Sequence, residues 1–327
     1  MKVCISGPAK GLETIELYEK VADRLCSAGH DITNEIQEGK IKFNQLEDVA
    51  GADVLVARIG TYDDAMWACI GAARAGDIPI VPLWNEGYIL ESCYGFTKDI
   101  KDRNMPLVRK EGDARPWPSA TKEGALDFNG LVEDLKILSG SESGKKQRPD
   151  PKQTNLELPP YIIGDSRNLE NHWSYYKIDS EFEEAGIEVI NPSRHLDNYN
   201  IDKFPGIIQP DPKEDAVQWC VDAAGKNSSM VIGWVHRRGL LGSRFEEGVA
   251  WWNGHPMLYL NWYVFPKKCP SELYAEGRKP EMHLKSVFDQ NKEVWGIEKH
   301  VGREVKDLVP VIRELREKYR ERIKNAG

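Results

Sequence analysis

The sequence predicts two tandem α/β domains, each built on a doubly wound parallel sheet of the Rossmann-like or flavodoxin-like kind. Three observations carry this. Short, continuously apolar runs of strand length alternate with longer helical segments, the pattern of strands buried on both faces. The joints between them are short and contain glycine, so each strand–helix–strand passage makes a right-handed crossover. The whole pattern then runs twice, on either side of a polar stretch.

The elements follow in pairs. The first half opens with the run Cys4-Ile5-Ser6-Gly7-Pro8 and the second with Tyr161-Ile162-Ile163-Gly164-Asp165-Ser166; each then enters a helix. The next glycine turns are Ala28-Gly29-His30-Asp31-Ile32 and Ala185-Gly186-Ile187-Glu188-Val189, so Gly7 to Gly29 and Gly164 to Gly186 are both intervals of 22 residues. The apolar run from Ala52 to Ala57 matches Ser229 to Gly233. Helices over Ala65 to Gly76 and Gly242 to Gly254 both end in glycine before the strands Ile78 to Leu83 and Met257 to Leu260. Each half closes on a helix, near Leu131 to Leu138 and Val305 to Ile323. In the latter, Leu308, Val311, Ile312, Leu315 and Tyr319 recur at helical spacing and form one apolar face. Gly140 to Pro160 is rich in Gly, Ser, Lys, Gln and Pro, a solvated connector by composition. The domains are therefore read as 1–139 and 160–327, joined by a linker at 140–159.

Composition bounds the function. At 327 residues with 40% hydrophobic and 29% charged side chains, the chain has the makeup of a folded globular protein. A net charge of −8, from 44 basic against 52 acidic residues, argues against a nucleic-acid partner, which needs a basic face. The six cysteines are scattered, with no C-x-x-C pair and no histidine at finger spacing, so neither a metal site nor a disulfide framework is indicated. They read as reduced thiols, implying a cytoplasmic setting. The apolar run after Met1 is too short for a secretory leader. Gly248 to Phe265 is interrupted by Asn253-Gly254-His255-Pro256 and by Asn261, which argues against a membrane span and for helix, turn and buried strand.

Ligands of such sheets bind beyond the carboxyl ends of the strands, here at the loops around Gly7, Gly60, Gly164 and Gly239 to Gly242. Gly239-Leu240-Leu241-Gly242-Ser243 lacks the spacing and the lysine of a triphosphate-binding loop. Gly242-Ser243-Arg244-Phe245-Glu246-Glu247-Gly248 is instead similar to the G-T-x-F-E-x-G signature of the nucleoside 2-deoxyribosyltransferase superfamily. Tyr161-Ile162-Ile163-Gly164-Asp165-Ser166-Arg167 resembles the Tyr-x-x-Gly-x-x-Arg opening of that superfamily's nucleotide N-hydrolase branch. The resemblance covers most of residues 160–262 and, in degenerate form, residues 1–84.

What the resemblance implies is a glycosyl-transfer site. Cleaving an N-glycosidic bond passes through an oxocarbenium-like state, which a carboxylate stabilises or attacks. The family pattern puts that nucleophile at Glu246; otherwise Glu246 is a solvated first-turn glutamate favoured by the helix dipole, the reading given to Glu247. Tyr161, taken as ending its strand near the site, corresponds to the tyrosine that orients nucleophile and sugar, or else is a core tyrosine with a satisfied hydroxyl. Gly164, Ser166 and Arg167 bring backbone N–H groups, a hydroxyl and a guanidinium to one helix start, a place for phosphate, and Ser243 adds a donor at another. Helix capping by either serine, and a surface position for Arg167, are the plainer alternatives. His236-Arg237-Arg238 reads as a solvated loop or a phosphate contact.

Two departures qualify the match. The aspartate that commonly precedes the family motif has no counterpart in Arg237 to Leu241, whereas Asp63 and Asp64 stand before the matching helix of the first half. There Cys69 takes the place of Glu246 and Cys4 that of Tyr161, so the first domain reads as degenerate, with Cys69 a buried helix residue. It is expected to pair with the second half as a pseudo-dimer and to lend it Asp63 or Asp64; whether the chain also forms a homo-oligomer is left open. The leading expectation is cleavage or base exchange at a nucleoside or 5′-nucleotide, with no cofactor. The alternative is a non-catalytic nucleotide-binding or assembly module.

Overall fold

The computed structural model describes residues 1–7, 12–33, 36–37, 40–41, 45–59, 64–83, 94–108, 120, 126–140, 144–164, 169–192, 216–234, 241–260, 282–298 and 301–326. They divide into two compact units, Met1–Arg148 and Pro149–Gly327. Each unit is an α/β layer structure around one four-stranded, all-parallel sheet.

The first unit runs β1 (Lys2–Ser6), α1 (Leu12–Ser27), β2 (Asp31–Ile32), a short antiparallel pair β3 (Ile36–Gln37) and β4 (Lys40–Ile41), α2 (Leu46–Gly51), β5 (Val54–Ala57), α3 (Asp64–Ala75), β6 (Ile80–Pro82), α4 (Tyr94–Val108) and α5 (Phe128–Gly140). Its sheet order is β2-β1-β5-β6. Side chains alternate along each strand, so Val3, Ile5, Val54, Val56 and Val81 bury one face against Tyr18, Val21 and Leu25 of α1 and Leu131, Leu135 and Leu138 of α5. On the opposite face α3 packs on β5 and β6, and α4 on β6.

The second unit runs β7 (Tyr161–Ile163), α6 (Leu169–Glu184), α7 (Ala216–Ala224), β8 (Val231–Trp234), α8 (Leu241–Trp252), β9 (Met257–Leu260), α9 (Met282–Trp295), β10 (Val301–Gly302) and α10 (Val305–Ala326), in the order β10-β9-β8-β7. Ile190 adds a single parallel bridge to Tyr161 on the outer side of β7. Ile162, Ile232, Leu258 and Leu260 bury one face against Tyr175, Ile178 and Phe182 of α6 and Leu308, Ile312 and Leu315 of α10. Helix α8 covers the other face over β8 and β9, where Phe288 of α9 meets the Tyr259 ring edge-on. Both sheets are thus covered by helices on two faces, as the alternating pattern predicts.

Register makes the internal correspondence concrete. Cys4 lies beside Leu55 as Tyr161 lies beside Val231, and the Leu55 and Val231 amides donate to Pro79 and Pro256 carbonyls at 2.9 and 3.0 Å. Gly29 and Gly186 both take left-handed backbone, at φ 84° and 73°, and let the next amides bond back to Leu25 and Phe182. Buried asparagines repeat too. Asn104 of α4 accepts from the Ile80 amide at 2.8 Å, while Asn291 of α9 accepts from the Met257 amide at 3.0 Å and donates to its carbonyl at 2.6 Å. Each satisfies the start of the strand that follows α3 or α8, backbone groups that are expensive to bury unpaired.

Two local expectations change, at Tyr161 and in the connector. Helix α3 ends at Ala75, before Gly76, and the left-handed residue that follows is Asp77, φ 50°; aspartate tolerates this conformation better than most side chains. Tyr161 opens β7 and does not end it. The stretches after Leu83 and Phe265 contain the helices α4 and α9. The connector is pinned in the second unit: Leu156 is buried, Arg316 donates to the Leu156 and Leu158 carbonyls, and Arg320 forms a two-pronged ion pair with Glu157. Among the described residues no helix is long and apolar enough to cross a membrane.

The α8–β9 turn carries a buried histidine. His255 faces Ser228 Oγ at 3.5 Å, and burial lowers its pKa from 6.5 to about 4, against a smaller opposing effect of a hydrogen bond to Ala224. Folding therefore favours the neutral ring, a contribution present above pH 6.5 and lost as pH falls toward 4. We expect the stability gap between the wild type and His255→Gln to narrow by about 3 kcal/mol from pH 7 to pH 4 in urea unfolding. A gap independent of pH would refute the assignment.

Candidate active site

Helix α8 turns Phe245, Val249, Ala250, Trp251 and Trp252 into the core, and Glu246, between the first two, goes inward with them. Its side chain is 7% exposed. From the start of β7 the Tyr161 hydroxyl donates to Glu246 Oε1 at 2.6 Å, with Tyr161 itself 1% exposed. These residues are 85 positions apart in the chain; the parallel register and the crossover through α8 bring them together. Helix α7 packs on α8 and brings Cys220 near this pair. The neighbouring Trp219 ring stands edge-on to the Tyr161 ring at 5.9 Å and 77°.

Burial raises the Glu246 pKa from 4.5 to about 7; the Tyr161 hydrogen bond and the nearby Cys220 thiol pull it down and the charge of Glu247 pushes it up. The Tyr161 hydroxyl is held well above its ordinary value, first by burial and then by the Glu246 charge. A carboxyl group with this proton affinity exchanges its proton near neutrality, the range useful for nucleophilic or acid–base work.

Ser243, at the third residue of α8, donates to the Gly164 carbonyl at 3.0 Å. It fastens the first turn of the helix to the end of β7, with its proton on the backbone carbonyl. Gly164 is partly exposed at that end of the sheet. Glu247 differs from expectation as well: it is 2% exposed and paired with Arg244 at 2.5 Å, so it is a buried ion pair and not a solvated glutamate. Ser166, Arg167, Asp63 and the run His236-Arg237-Arg238 lie outside the described residues, as does the Asp64 side chain, although Asp64 opens α3.

At the matching position of the first unit there is no carboxylate. Cys69 is the sixth residue of α3, as Glu246 is of α8, and Cys69 and Cys4 are both fully buried. Burial drives the Cys4 thiol far above its ordinary range, with the Asp48 charge adding to the effect. Such a thiol stays protonated and inert. Among the described residues no three His, Cys, Asp or Glu side chains converge as a metal site.

The approach of Trp219 and Cys220 from α7 has no local signal in the sequence. The Arg244–Glu247 pair did carry one, since opposite charges three residues apart on a helix face each other. Comparison of the chain with family models, with curated proteins and with solved structures gave no match.

Proposed function

We propose that the unit Pro149–Gly327 cleaves or exchanges the N-glycosidic bond of a nucleoside or 5′-nucleotide, with Glu246 as nucleophile and Tyr161 as the residue that orients it. The observation that supports this best is the buried 2.6 Å Tyr161–Glu246 hydrogen bond, with a carboxyl group that titrates near 7. The resemblance of the Gly242 to Gly248 motif supplies the reaction class.

In this mechanism the ionised carboxylate attacks the anomeric carbon. A C–O bond forms as the C–N bond breaks, and the base leaves with the bonding pair and takes a proton from water. Water or a second base then attacks the glycosyl-enzyme and frees the carboxylate. Tyr161, bound to one carboxylate oxygen, fixes the side chain so that little rotation is needed at the transition state. Hydrolysis of a nucleotide is favoured over transfer because Gly164, Ser166 and Arg167 resemble a phosphate-binding opening. In this reading the first unit is a degenerate copy, its glutamate and tyrosine replaced by Cys69 and Cys4, and serves as scaffold.

The test is release of free base from a panel of nucleosides and 5′-nucleotides by the purified full-length protein. Base released from 5′-nucleotides in preference to nucleosides is the expected result; no release from any member supports a binding module instead. With a substrate in hand, kcat/KM rises with pH to a plateau above about 7, because only the ionised Glu246 attacks. Tyr161→Phe removes a donor that favours the ionised form, and we expect it to move this limb upward by roughly one to two pH units, the scale of a charged hydrogen bond. An unmoved limb would show that Tyr161 does not act through Glu246.

A further inference from the structure

We infer that Trp219 of α7 is the stacking wall for the departing base: a planar nucleobase lies against its indole while Glu246 meets the sugar. The inference deepens the proposed function and rests on it for the position of the sugar, but base binding itself can be measured without turnover.

Helix α7 packs on α8 and turns Val217, Ala223 and Ala224 into the core. Trp219 does not go with them. Among the described tryptophan side chains, Trp67, Trp251, Trp252 and Trp295 are buried, whereas Trp219 is partly open to solvent. An indole is the largest apolar side chain, so leaving part of it wet gives up stability that burial would supply.

The place of this ring ties it to the reacting pair. The indole lies 5.9 Å and 77° from the Tyr161 ring, and the hydroxyl of that same tyrosine holds Glu246 Oε1 at 2.6 Å. From Glu246 to the indole is thus the span of one tyrosine and one ring contact, the reach of a sugar that carries a base. Rings that meet near a right angle touch through an edge, so Tyr161 does not take both faces of the indole. The polar side chains nearby on the same helix bond one another: Gln218 donates to Asp222 at 2.8 Å, and Lys226 pairs with Asp222 at 3.0 Å. One wet indole flanked by such a pair fits a small flat ligand, whereas a protein partner needs a contiguous apolar patch. Stacking requires no fixed hydrogen-bond pattern, so the wall accepts any base, and it holds the base alike before and during cleavage.

The experiment titrates the folded full-length protein with free adenine, hypoxanthine, cytosine, uracil and thymine, reading affinity by calorimetry and contact by tryptophan emission. At least one base is expected to bind the wild type and to quench part of its emission, and that part is missing in Trp219→Phe. For that base, Trp219→Leu lowers affinity about 10-fold or more, and Trp219→Phe, which keeps an aromatic face, loses less than about 3-fold. Urea unfolding checks that each variant is folded, and the Phe variant carries the test if the Leu variant is not. Failure of every base to bind the wild type, an affinity that ignores Trp219→Leu, or a quench that survives in Trp219→Phe overturns the proposal. If base binding follows Trp219 while no nucleoside or 5′-nucleotide releases base, the stacking wall stands and the glycosidic reading falls. If base is released with a KM indifferent to Trp219→Leu, the glycosidic reading stands and the stacking wall falls.

Discussion

Replacing Glu246 by Gln is expected to lower turnover on the true substrate at least about 10³-fold, the scale of losing a catalytic nucleophile, while the fold stays intact. Glutamine keeps the shape of the side chain and can still accept from the Tyr161 hydroxyl, but it carries no anionic oxygen. The same substitution should stabilise the protein at alkaline pH. Folding raises the Glu246 pKa from 4.5 to about 7, so the folded state favours the protonated acid. That contribution is complete below about pH 4.5 and is lost as pH rises through about 7, leaving a buried charge that disfavours the fold by about 3 kcal/mol at pH 8. Relative to wild type, Glu246→Gln therefore gains stability between pH 5 and pH 8 by about that amount. Turnover and urea unfolding at the two pH values measure both effects. Near-normal turnover would make Glu246 structural; a stability difference that does not change with pH would contradict its buried ionisation.

The largest structural effect is expected at Gly254. It takes φ 77°, and a Cβ there would come within 2.5 Å of the Pro151 Cα, a backbone atom that cannot rotate away. Its carbonyl accepts from Trp295 Nε1 at 3.1 Å, and the adjoining Asn253 carbonyl accepts from Thr154 Oγ1 at 3.5 Å, so the turn is gripped from two sides. Gly254→Ala should cost about 3 kcal/mol or more, combining left-handed strain with overpacking. Gly186→Ala is the comparison: φ is 73° but nothing lies within 4 Å of a Cβ, so only the conformational part remains, about 1 kcal/mol. Equal shifts of the two urea midpoints would mean that the Pro151 contact gives way freely.

Much of the architecture is legible because it depends on local chemistry. Gly29 and Gly186 sit where a helix must reverse into a strand, and the equal intervals before them report equal helices. Strands such as Val54-Leu55-Val56-Ala57 read as buried because both their faces are. What escapes depends on neighbours distant in sequence. Val301–Gly302 is a strand only because it pairs with Tyr259 and Leu260. The start of a three-residue strand is set by its partner, which is why Tyr161 falls at the opposite end from the one expected. At the site, Glu246 and Tyr161 are legible through the resemblance; their contact, and the approach of α7 with Trp219, are products of packing. Glu247 misleads because composition says a glutamate is solvated, whereas Arg244 one turn earlier makes burial tolerable.

The thiol at position 69 has a wider consequence. With no charge to solvate at position 69, the middle of α3 is free to be filled for volume, and its five alanines in twelve residues, with Gly71, keep its side chains small; its one buried charge, Arg74 near the end, is paired with Asp99 of α4. Substitution there is constrained by size: each added methylene must find room. At position 246 the constraint is on charge and on the donors that attend it, and size is secondary. One backbone arrangement, used twice in a single chain, thus answers to two different rules of tolerance.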